Sequence, residues 1–300
     1  MSASVARPEL TSTEPATQHP RRGSRRTGSF GVLTRIPLLV WSVVVIYPII
    51  WMFIGAFKTN AEIFRSPWAL PENPTLDNFA RAWTEYGVGS GLVNSGIVTV
   101  LGTLLTLALG LPAAYALARI PFRGARLLYS AFLVSLTIPT VLGLIPLFFL
   151  LLDLKLLNNL PALAVVYAAS RLPFTIFLLS GFMHAIPREL EEAAAIDGTS
   201  RYRLLGSIIT PIMTPALITM AVMNAVTFWN EYIMALIFLP RSEARTIGVV
   251  LDYMNQNAQY SNDWGGLFAA LSLSVIPVLI VYTLLQKQII RGMLDGAMKD

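Results

Sequence analysis

The sequence predicts an all-α, polytopic membrane protein with six transmembrane helices, and three observations lead there. Of 300 residues, 55% are hydrophobic and only 13% charged, about half the charged share of a soluble domain. Uncharged apolar runs of bilayer length, about 20 residues, recur along the chain. The basic residues gather in alternate connections between those runs. Helices rather than a barrel follow, because the runs are continuous and lack the period-two alternation of lipid-facing strands.

The runs justify the spans one by one. Residues 36–57, 92–118, 127–152 and 264–286 contain no Lys, Arg, Asp or Glu. The run 160–183 is comparable apart from Arg171, and 204–240 holds only Glu231 and is divided near its start by Pro211 and Pro215. Placing the N-terminus inside puts 1–35, 119–126, 184–203 and 287–300 in the cytoplasm, with fifteen of the 22 basic residues. The outside segments hold six, the asymmetry expected of cytoplasmic loops. Residues 1–32 read as a disordered basic tail, 33–290 as the membrane domain and 291–300 as a cytoplasmic C-terminal tail.

Composition also narrows function. The net charge of +5 lies beside apolar spans and reports topology, not nucleic-acid binding. With no cysteine there are neither disulfides nor thiolate metal sites. The two histidines, His19 and His184, sit in the tail and at a membrane edge, too little for a triad or a His-bound metal. The stretch "GAFKT" lacks the second glycine of a phosphate-cradling loop. No catalytic residue, metal ligand or bound cofactor is expected. Transport remains.

The segment 187–206 interrupts this apolar chain abruptly. Pro187 suits the start of a helix, and Glu189, Glu191 and Glu192 complement the positive end of its dipole. Ala193, Ala194 and Ala195 continue it with a low surface, and Asp197-Gly198 stops it, glycine being suited to the left-handed position past a helix end. Thr199 or Ser200 can then cap a helix returning to the membrane. Spacing alone allows two readings, a plain helical hairpin or a docking site for a partner protein.

The pattern Glu192, Ala193, Ala194, Gly198, Ile208 and Pro211 resembles the EAA loop of ABC-importer permeases, with Thr210 where leucine is usual. The resemblance implies the type I importer permease fold and a helix seated in a groove on an ATP-hydrolysing subunit. It assigns ATPase coupling to Glu191, Glu192, Ala193, Ala194, Asp197 and Gly198. From about residue 33 onward the chain is similar to carbohydrate permeases of the maltose-transporter G type. The matching stretches include "YPIIWMFIGAFKTNAEIF", "PTLDNFARAW", "PAAYALARIPFRG", "FWNEYIMALIFL" and the ending "QKQIIRGMLDGAMKD".

This family implies four partners: a second, homologous permease subunit forming a heterodimer, an ATPase dimer, an extracytoplasmic sugar-binding protein and the lipid bilayer. ATP and magnesium belong to the ATPase, and the location is the bacterial cytoplasmic membrane. Candidate pathway residues are Arg171, Asn224, Trp229, Asn230 and Glu231, since polar groups inside a span mark either a pathway or a packing pair. Glu231 paired with Arg171, or with a partner's arginine, is the packing alternative. The amide-rich outside loop, with Asn255, Asn257, Gln256 and Gln259, is the candidate contact for the binding protein, or else a solvated connector. The same build could import a polyol or glycerol phosphate. A secondary transporter should show internal repeats and midmembrane ion ligands, and neither is visible.

Overall fold

A computed structural model describes residues 35–297, apart from the side chains of Leu285 and of residues 287–297. The predicted tail 1–32 and the last three residues lie outside the described residues. All regular structure among the described residues is helical. The chain divides into two compact units, 1–48 and 49–300.

In the first unit the described residues are the start of helix α1 (Arg35–Gly55), and every one from 35 to 48 is exposed. Trp41 is 69% exposed and Leu38 67%, a surface tolerable only against hydrocarbon.

The second unit begins with the end of α1, where the Trp51 indole donates to the Pro67 carbonyl at 2.8 Å. The short α2 (Asn60–Arg65) starts with a reciprocal capping box between Thr59 and Glu62. After α3 (Asp77–Thr84) comes α4 (Val88–Arg119), the second span. Gly102, Thr106 and Gly110 recur every fourth residue along its buried face, the small-residue spacing that lets membrane helices approach closely. A β-carbon on Gly110 would sit 2.9 Å from Thr175 Cγ2 of α7 (Leu160–His184), so glycine sets that approach.

The intervening third run is not one straight helix. It breaks into α5 (Ala125–Ser135) and α6 (Leu144–Asp153), joined by a 3-10 turn at Thr140–Gly143 and bent by 97°. Pro139 stands at the bend and disfavours helix in the residue before it. Beyond α7 lie α8 (Glu189–Ile196) and α9 (Arg201–Ile212), followed by α10 (Thr214–Trp229) at 78° to α9. Among the described residues four helices are long and apolar enough to span a membrane, and counting each bent pair as one span gives up to six.

Three expectations change. The run 204–240 is helical only to Trp229. Asn230 and Glu231 stand in a break, and α11 (Ile233–Phe238) begins a new helix. The loop expected on the outside is mostly helix, α12 (Ile247–Ser261). Its Ile247, Val250, Met254 and Ala258, spaced by three or four, bury one face against Ala56, Val88 and Leu267. Amide-rich composition hid that face. Finally, α13 (Trp264–Ala297) runs past the predicted start of the tail at Arg291.

Candidate functional site

The EAA-like segment is built as its residues suggest. Helix α8 carries Glu189, Glu191 and Glu192 in its first turn. Gly198 follows its end with φ +71, and the Thr199 amide reaches back to the Ala194 carbonyl at 2.9 Å, closing a Schellman turn. Ser200, not Thr199, caps the returning helix, accepting from the Arg203 amide at 3.4 Å.

Geometry divides the six predicted coupling residues by direction. Ala194 is 6% exposed and packs among Tyr115, Met183, Ile209 and Met213. The Glu191 carboxylate also turns inward. Arg119, the last residue of α4 and 4% exposed in its side chain, places Nε 3.0 Å from Glu191 Oε1, an ion pair lying off the line of a linear hydrogen bond. Its Nη2 donates to the carbonyls of Met183 and Ile186 at the end of α7. That cation sits where the helix dipole is negative. The Tyr115 hydroxyl donates to the other Glu191 oxygen at 3.5 Å. One side chain therefore ties α4, α7 and α8 together. Glu192, Ala193, Asp197 and Gly198 are exposed, beside Ile196 at 87% and Tyr202 at 92%.

Neither Arg119 nor the exposed pair Ile196 and Tyr202 was singled out in the sequence. Arg119 reads there as one more topology charge, and its partners lie 64 or more residues away.

Just after α8 the backbone changes register. Leu205–Ile209 form a π turn directly before Pro211. The Thr210 hydroxyl, at the position where the resemblance expects leucine, donates to the Leu205 carbonyl at 2.7 Å. The 78° bend follows at Met213. A π turn beside a proline and a sharp bend is a site of weakened helix ladder.

The candidate pathway residues do not form one cluster. Asn224 is fully buried, donates to Thr175 Oγ1 at 3.1 Å, and accepts from Arg171 Nε at 3.4 Å. Arg171 also lies over the Phe174 ring, 4.5 Å from its centroid. Trp229 packs against the cluster that contains Ala56 and Val88. Asn230 donates to the Val226 carbonyl at 2.8 Å and closes the end of α10.

Glu231 is not paired with Arg171 among the described residues. Its carboxylate accepts from the Tyr167 hydroxyl and from the amides of Met234, at 2.8 Å, and Ala235, at 3.1 Å. It caps α11, so the break at residue 230 gives it backbone donors in place of a cation. A cavity of about 680 Å³ between α6, α7 and α11 contains none of these candidates.

In α12, Asn255, Gln256 and Gln259 are exposed and Asn257 is half-buried. Gln256 donates to Asp252 at 2.7 Å. The adjoining end of α13 is tied to α3 by Arg81 and Asp263 at 2.8 Å, with the Tyr86 hydroxyl on the second oxygen at 2.9 Å. Burial opposes ionisation of Asp263, but the Gly266 amide, the Tyr86 hydroxyl and the Arg81 guanidinium outweigh it and hold its carboxyl below the ordinary aspartate range. The Tyr86 hydroxyl is pushed up, first by burial and then by Asp263.

Residues 106–295 match the family of binding-protein-dependent transport system inner membrane components. The chain belongs to this family. The permease is similar to the diacetylchitobiose uptake system permease protein NgcG of Streptomyces coelicolor, 35% identical over 270 residues covering 90% of this chain and 89% of that one. It is also similar to the trehalose/maltose transport system permease protein MalG of Thermococcus litoralis, 34% identical over 275 residues, covering 89% and 98%. Among solved structures it resembles a chain of a bacterial ABC transporter involved in importing the acidic polysaccharide alginate. The TM-score is 0.76 at 27% identity, covering 88% of the permease and 98% of that chain. The all-α importer-permease fold expected from the sequence is thus the fold the permease has.

Proposed function

We propose that the permease is one half of the transmembrane pathway of an ATP-driven, binding-protein-dependent carbohydrate importer. The observation that carries this is the two-sidedness of α8. Its inner face is fastened to the spans by Ala194 and the Glu191–Arg119 pair, while Glu192, Ala193, Asp197 and Ile196 remain exposed. A partner pressing on the outer face moves α4 and α7 with α8, because Arg119 holds the three together.

The occupant of that face is an ATPase subunit, which supplies ATP and magnesium; the permease itself performs no chemistry. A second, homologous permease completes the pathway, and the termini lie in the cytoplasm. The resemblance to sugar permeases and the names of the similar proteins support carbohydrate as the solute. Arg171, half-buried and held by the fully buried Asn224 of the neighbouring span, is the polar group offered to sugar hydroxyls, whereas Trp229, Asn230 and Glu231 shape the break between α10 and α11. The exposed amides of α12 at Asn255, Gln256 and Gln259, with Asn257 beside them, meet the sugar-binding protein.

The test is affinity purification from native membranes in mild detergent, with subunits identified by mass spectrometry. Wild type retains an ATPase and a second permease, and a Glu192→Lys, Gly198→Asp variant loses the ATPase alone. If the chain purifies by itself and moves solute without ATP, a secondary carrier replaces this reading.

A further inference from the structure

Where α4 ends and the chain turns into α5, three guanidinium groups lack any partner. Arg123, Arg126 and Arg188 line one groove of about 650 Å³, together with Leu117, Ile120 and Phe122. All three arginines are exposed, and none of their guanidinium groups joins a hydrogen bond, ion pair or ring contact among the described residues. Arg119 also borders the groove, but Glu191 already balances its charge. The remaining cations repel one another, and a bound anion would reverse that cost.

Two further features act in the same direction. Helix α5, eleven residues long, starts at this groove after Gly124, whose φ is +89, and no side chain caps it. Its unsatisfied amides and positive dipole end add to the field of the arginines. Beside the groove, Phe122, Leu127 and Leu128 are 43%, 76% and 46% exposed. A soluble anion needs only the charge. A charged concavity beside exposed apolar surface suits a headgroup with acyl chains attached.

We propose that this groove holds the phosphate of an anionic phospholipid, whose chains lie along Phe122, Leu127 and Leu128. Guanidinium forks match phosphate oxygens in pairs. The ordinary charge bias of a loop requires basic residues on one side of the membrane, but not three of them around one concavity without a carboxylate. Since Arg188 is the residue from which α8 starts, an occupied groove also ties that helix to the bilayer. This consequence for coupling rests on the function proposed above, but the lipid site itself does not.

The experiment is native mass spectrometry of the purified permease, with the subunits it retains, in a neutral detergent. It is titrated separately with dioctanoyl phosphatidylglycerol, dioctanoyl phosphatidylcholine and inorganic phosphate. The expected result is one tightly bound phosphatidylglycerol per permease chain at concentrations where the other two do not bind. Replacing Arg123, Arg126 and Arg188 together by glutamine weakens that binding about a hundredfold, at roughly one unit of surface-charge attraction per arginine. A control with Arg65→Gln, Arg201→Gln and Arg203→Gln binds as wild type does.

If the triple variant does not fold, Arg123→Gln and Arg126→Gln are read singly, each about fivefold weaker. Unchanged lipid binding in the variants overturns the proposal, as does equal loss in the control. Binding of phosphate as tight as that of the lipid would make this a soluble-anion site. If the variants bind lipid normally but shed a protein subunit, the arginines belong to a protein interface.

Discussion

The two ends of helix α4 are fastened by the same chemistry in different surroundings. At the α8 end, Arg119 is 4% exposed and holds Glu191 together with two carbonyls at the end of α7. At the other end, Arg81 is 37% exposed and holds Asp263, itself 13% exposed and also bonded to Tyr86 and Gly266. The pairs differ less in geometry than in how easily water can replace a lost partner. Breaking a buried pair strands a charge that water cannot reach, whereas a half-exposed arginine is readily rehydrated. The difference teaches where force can pass through the protein. An interior node moves three helices as one body, and an exterior node only trims the ends of two.

The largest expected effect therefore lies at the interior node. Arg119→Met should destabilise the permease by about 3 kcal/mol, at the low end for a broken buried pair because Glu191 keeps some solvent. Denaturant unfolding in mixed micelles measures this. Adding Glu191→Met should restore much of the loss. If Arg119→Met costs no more than Arg81→Met, the contrast between the ends fails.

Next comes Gly198→Ala. No atom lies within 4 Å of the added methyl, so the cost is that of the left-handed backbone alone, about 1–2 kcal/mol. Retention of the ATPase subunit proposed above should fall more than the unfolding midpoint, since the turn aims the exposed face of α8.

At the exterior node, Arg81→Met should cost about 1 kcal/mol or less by the same unfolding measurement. This end carries the pH dependence. The folded carboxyl of Asp263 is depressed, so its contribution is complete above the ordinary aspartate value of about 4 and is lost as pH falls below it. Thermal midpoints should be flat near neutral pH and drop in acid, and Asp263→Asn should flatten that drop. The smallest effect is Tyr260→Ala. This residue is 88% exposed on α12, and its replacement should stay within about 0.5 kcal/mol. Any loss of transport in that variant then reports a partner rather than the fold.

Parts of this organisation were readable in advance. Apolar runs of bilayer length gave the spans, because in hydrocarbon a backbone must satisfy itself locally. The turn at Gly198 was legible for the same local reason. A glycine one step past an alanine helix has few other uses.

The site was less legible. Glu191 and Glu192 are adjacent and chemically identical, yet one pairs with Arg119 and the other is exposed. Only the orientation of α8 on its neighbours distinguishes them. Glu231 read as either a pathway group or half of a packing pair with an arginine, and among the described residues a helix break supplies it with two amides and a tyrosine hydroxyl. In α12 the polar composition masked a buried stripe whose partners are Ala56, just past α1, and residues of α3, α4 and α13.

By itself the sequence determined that the chain lives in a membrane, how many times it can cross and where the turn at Gly198 falls. These depend on hydropathy, length and glycine or proline, which act over a few residues. The tertiary structure alone decided which carboxylate faces inward, which arginines are spoken for and which stand free. Ion pairs and helix ends are satisfied by whatever packing brings near, here over separations such as the 72 residues between Arg119 and Glu191, and no local pattern carries that information.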